Sequence, residues 1–96
     1  MQKFIIEREI LDVGSLERTQ LKEAAARSNE VLAKLAPDIQ WVESYVADNK
    51  TFCVYLAESE AAIREHARLS GFPADRITEI VDVWDPTTAQ RCGAPA

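Results

Sequence analysis

Imidazole is nearly missing from this chain. Among 96 residues there is a single histidine, His66, so one copy cannot build a centre from several imidazoles. Cysteine is scarce too: Cys53 stands in a strand-like run and Cys92 in a polar tail, unlike settings that make no disulfide framework. Both read as free thiols. Long apolar runs are absent, with nothing near the ~20 residues that cross a bilayer. The opening "MQKFIIEREI" is broken by Glu7 before a signal-peptide core can form. The expected location is the cytoplasm, with no membrane partner. Basic charge is short as well: 11 Lys and Arg face 16 Asp and Glu, a net charge of −5. Affinity for a phosphate backbone comes mostly from Lys and Arg releasing counterions, so nucleic acid is not an expected partner.

What remains is the make-up of an ordinary globular protein, 47% hydrophobic and 28% charged. Its length fits one domain with one modest core, expected over residues 1–86, with a loose tail over 87–96. "KFIIEREI" (3–10) reads as a strand, followed by a turn around Gly14. From Glu17 to Ala36 the period changes. Leu21, Ala24, Ala25, Ser28, Val31, Leu32 and Leu35 fall on one helical face, with Ser15 or Thr19 as the N-cap and Pro37 as the stop. "IQWVESYVA" (39–47) and "TFCVYLA" (51–57), separated by "DNK", read as a β-hairpin. Ser59 caps a second helix that runs to Ser70, where Gly71 and Pro73 end it. "RITEIVDVW" (76–84) is the last strand.

The order βαββαβ predicts a ferredoxin-like α+β fold, a four-stranded antiparallel sheet with both helices on one face. Period-two counting assigns the aliphatic sets Phe4, Ile6, Val42, Val46, Phe52, Val54 and Leu56 to the helix side. The opposite side then holds Ile5, Trp41, Tyr45, Cys53 and Tyr55 beside Glu7 and Glu43. So aromatic a surface marks an interface or a ligand pocket. A second copy of the chain is the expected cover, giving a dimeric α/β barrel.

On a wheel of ~100° per residue, His66 lies in the apolar arc of the second helix with Ala62, Ile63, Ala67, Leu69 and Ser70. It points towards the sheet. It reads either as a neutral core histidine bonded to a carbonyl, Ser44 or Ser70, or as a metal ligand or general base. Under the face assignment above, Cys53 and Glu43 lie across the sheet from it. Cys53 reads as a small buried hydrophobe or a nucleophile. Glu7 and Glu43 read as a carboxylate pair or as ion-pair partners of Arg8 or Lys3.

The segments "IQWVESYVADNKTFCVYLA", "IREHARLSGFPADRI" and "DPTTA" together resemble a small bacterial family of unknown function that is often labelled nickel-binding. The likeness runs from Phe4 to Ala89. It implies a ferredoxin-like dimer and nickel as cofactor. It also implies histidines on the first strand and directly before the helix-ending glycine, where this chain has Arg8 and Ser70. The expected function is a cytosolic homodimeric binding protein for a transition metal such as nickel, with His66, Cys53 and Glu43 as ligands and no enzymatic activity. Two alternatives stay open. One is a cofactor-free monooxygenase or isomerase working in a pocket beside the sheet, with His66 or Glu43 as base. The other is a structural dimer that binds proteins.

Overall fold

The computed structural model describes residues 1–90, and these form the expected ferredoxin-like α+β fold. In chain order it runs β1 (Gln2–Glu9), α1 (Arg18–Leu35), β2 (Ile39–Val46), β3 (Lys50–Ala57), α2 (Glu60–Ser70) and β4 (Arg76–Ile80). All pairings are antiparallel, in the spatial order β2-β3-β1-β4. A short 3-10 turn (Val13–Ser15) precedes α1 and another (Pro86–Gln90) follows the sheet, so residues 87–90 of the expected loose tail take up structure. Residues 91–96, with Cys92, lie outside the described residues.

Each helix has a local reason for its limits. At α1 neither Ser15 nor Thr19 is the cap: Glu17 is, and its backbone N–H donates to Gln20 Oε1 at 2.9 Å, a reciprocal arrangement that satisfies an orphan donor. At α2 the Ser59 hydroxyl accepts from the Ala62 amide, and Gly71 adopts φ 78°, the left-handed position that ends a helix at no steric cost. Gly14 answers to space instead. A Cβ there would lie 2.6 Å from the Ala47 carbonyl oxygen. The 3-10 turn is pressed against the β2–β3 turn and joined to it by Gly14 N–H to Asp48 O, Ile10 N–H to Asn49 O and Asp12 N–H to Asn49 Oδ1.

The strand faces differ from the sequence expectation. Residues directly opposite in an antiparallel pair share a face, and Phe4 stands opposite Tyr55, Ile6 opposite Cys53 and Arg8 opposite Thr51. Inward Phe4 and Ile6 therefore bring Tyr55 and Cys53 inward with them. The core comprises Phe4, Ile6, Ile39, Cys53, Tyr55, Ala57 and Ile63, with Leu32, Leu35, Trp41 and Ile77 packed against it. Phe52, Val54 and Leu56 lie on the open face instead. Val42 falls at a bulge between Trp41 and Glu43 and is exposed, while Val46 faces Thr51 at the sheet's end and stays half exposed. The last strand stops at Ile80, four residues early. Ile80 already pairs with Lys3, and β1 begins at Gln2, so "VDVW" has no strand left beside it.

Candidate functional site

Between the sheet and the two helices lies a line of polar side chains enclosed by apolar ones. His66 is fully buried. Its Nε2 shares a hydrogen bond with Ser28 Oγ at 3.1 Å, so α1 supplies the partner expected from Ser44 or Ser70. Serine is small enough to let the helices meet there. On its other side the imidazole leans on the Tyr55 ring, centroids 5.4 Å apart and planes tilted by 53°. Among the described residues, His66 Nδ1 is the buried side-chain polar atom that has no partner.

Arg8 closes the line. Its side chain continues the inward alternation of Phe4 and Ile6 and is 3% exposed. Nη1 donates to the Pro73 carbonyl, Nη2 donates to the Tyr55 hydroxyl at 3.4 Å, and the guanidinium lies 6.0 Å from both the Tyr55 and the Phe72 ring centroids. The Gly-Phe-Pro segment thus does more than stop α2: it folds back over a buried cation. None of the ion pairs among the described residues includes Arg8.

The electrostatics follow from this enclosure. Burial first, and the positive charge of Arg8 second, push the His66 pKa down from 6.5 to about 4. The imidazole is neutral at physiological pH. Burial also raises the Tyr55 phenol, with Arg8 opposing.

The other candidates divide between two sides. Cys53 lies on the same side as His66, not across from it, with its thiol donating to Thr51 Oγ1 at 3.6 Å. Tyr55, expected at an outer pocket or interface, is 2% exposed under the helices. Trp41 packs against the core and its indole N–H donates to Ser44 Oγ at 3.0 Å. Tyr45 and Glu43 do face outwards, and the carboxylate beside Tyr45 raises its phenol pKa. Glu7 shares that outer face, paired with Lys50 at 3.4 Å and not with Arg8 or Lys3. The structure therefore does not assemble His66, Cys53 and Glu43. Sequence reasoning missed Arg8 and Ser28 as neighbours of His66. The signal for Arg8 was there, since it is the third inward position after Phe4 and Ile6.

These residues do not fit a nickel ion within one subunit. One partnerless imidazole nitrogen is a suitable first ligand, but no group of three or more His, Cys, Asp or Glu able to hold a metal occurs among the described residues. Arg8 sets a permanent positive charge where a cation would go. Access is wanting too: the depressions at the Lys50 end of the sheet are lined by Glu7, Glu9, Lys50, Asp75 and Arg76 and by Glu9, Ile10, Leu11 and Asn49, and His66 lines neither.

The family model described as nickel responsive protein SCO4226-like matches residues 4–80. The chain belongs to that family. The SCO4226-like match ends where β4 ends, so it takes in the buried line and omits the segment after Ile80. The crystal structure of SCO4226 from Streptomyces coelicolor A3(2) superposes with a TM-score of 0.67 at 21% identity, covering 85% of this chain and 99% of that one. That likeness shows the shared fold. No curated protein matches the chain. No helix among the described residues is long and apolar enough to cross a membrane.

Proposed function

We propose that this SCO4226-like chain is a small structural homodimer without catalytic activity, whose copies associate through the open face of the sheet. The observation that carries the reading is the composition of that face. Ile5, Phe52, Val54, Leu56 and Ile80 lie side by side on it, only partly buried, with no helix above them. A contiguous apolar surface of this kind marks an interface. A second copy, brought by a two-fold axis, presents the same stripe in return.

An enzyme reading has less support. The groups suited to proton or covalent chemistry, His66 and Cys53, are 0% and 7% exposed, and a base must come within hydrogen-bond reach of its substrate. The tie to nickel rests on the family name, and a site centred on His66 has the wrong charge beside it. In this reading His66 is a packing residue.

Sedimentation velocity on the full chain tests the dimer: the wild type sediments as a dimer and Val54→Glu as a folded monomer. A wild-type monomer at every concentration sinks the proposal. Metal analysis of protein without a histidine tag tests the rest. Nickel content below stoichiometric and equal in wild type and His66→Gln is expected. One nickel per chain that disappears in the variant would restore His66 as a ligand.

A further inference from the structure

The segment that follows β4 leaves the body of the protein. Val81, Val83 and Trp84 are 90%, 50% and 79% exposed. The radius of gyration, 15.2 Å, exceeds the roughly 12 Å of a compact chain this long, and the longest axis reaches 45 Å. The segment is nevertheless ordered by its own polar groups. Asp82 accepts from the Val83 amide at 2.8 Å and from the Trp84 indole N–H at 3.0 Å. Asp85 accepts from the Thr87 amide while its own amide donates to Thr88 Oγ1, both at 2.8 Å. With its polar groups bonded locally, the arm offers apolar side chains outwards in a set shape.

We infer that this arm docks on a second copy of the chain, with Trp84 seated on the partner's open sheet face. The inference rests on the dimer reading and adds the element that closes it. Two observations choose this occupant. First, β4 is an edge strand and its last residue, Ile80, already belongs to the open face, so the arm starts at the rim of the surface it would reach. Facing sheets lie about 10 Å apart, and four extended residues span roughly 13 Å. Second, a cation stands at the near end of the stripe. On the open face Glu7 is paired with Lys50 and stands opposite Arg76, and Glu43 lies outward on the far strand, opposite Val54, whereas Lys3 lies between Leu56 and Ile80, beside the start of an arm that carries Asp85.

The full chain labelled with 5-fluorotryptophan tests this, with the Trp84 fluorine signal assigned by Trp84→Phe. On dilution through the dimer-to-monomer transition that signal should shift, and Trp84→Ala should weaken dimerisation at least tenfold in sedimentation equilibrium with an unchanged circular dichroism spectrum. Lys3→Glu should weaken it several-fold, less so in high salt. A dimer that dissociates on dilution while the Trp84 signal stays fixed, with Trp84→Ala within twofold of wild type, overturns the arm and leaves the dimer standing. A wild type monomeric throughout removes both.

Discussion

On the helix-covered side of the sheet, β1 presents Phe4, Ile6 and Arg8 and β3 presents Thr51, Cys53, Tyr55 and Ala57; on the open side they present Lys3, Ile5 and Glu7, and Phe52, Val54 and Leu56. The enclosed side is thus the one with a guanidinium, a phenol, a thiol and, from α2, an imidazole. The uncovered side is the more aliphatic at its centre. Small or polar residues inside allow the helices to approach and lock their positions through directional bonds such as Ser28 to His66. The bulky aliphatics outside have no helix of the same chain above them.

The comparison is broken most severely at α2. Ile63 is fully buried, and Ile63→Ala should cost about 4 kcal/mol in urea denaturation, because the enclosed side cannot collapse into the vacated space. Val54→Ala, measured at a concentration where the chain is monomeric, should cost under about 1 kcal/mol. Equal losses would mean that the two faces are equally enclosed within one copy.

Acid sharpens it next. The unfolded chain takes up a proton on His66 near pH 6.5, and the folded chain only near 4. In that window the unfolded state binds more protons, so the contribution is fully present above pH 6.5 and shrinks as pH falls to about 4. The loss amounts to about 3 kcal/mol. His66→Gln should remove this part of the pH dependence, and Arg8→Met should raise the imidazole pKa measured by NMR, since the guanidinium helps to hold it down. An imidazole titrating at its ordinary value in wild type would contradict the enclosure. The smallest effect belongs to the end of the same helix, where Gly71→Ala at φ 78° should cost about 1 kcal/mol in thermal denaturation. A neutral result would show that the turn relaxes.

Most of the architecture was legible in the sequence, because helix and strand periods differ and because Pro37, Ser59 and Gly71 punctuate the chain strongly. Which side of β3 faces the helices was not. "TFCVYLA" is apolar at nearly every position, so a period of two selects neither set. Pairing with β1 decides it, and register depends on turn geometry and on the bulge beside Trp41. The length of β4 failed for a related reason: "VDVW" has strand composition, but a strand needs a neighbour and β1 had ended. At the candidate site, His66 was placed correctly against the sheet and Ser28 on the inner face of α1. Their meeting depends on how the helices cross, which neither segment encodes alone. Cys53 and Tyr55 followed β3 to the wrong side in the sequence reading, and Glu43 stayed outside.

The close contact at Gly14 reaches beyond its neighbourhood. Because the β1–α1 connection leaves no room for a methyl group against the hairpin turn, two loops more than thirty residues apart behave as a single part. Lengthening either one would prise apart the other, so relatives that vary here should vary in both together, and a graft onto this end of the molecule would have to replace the pair.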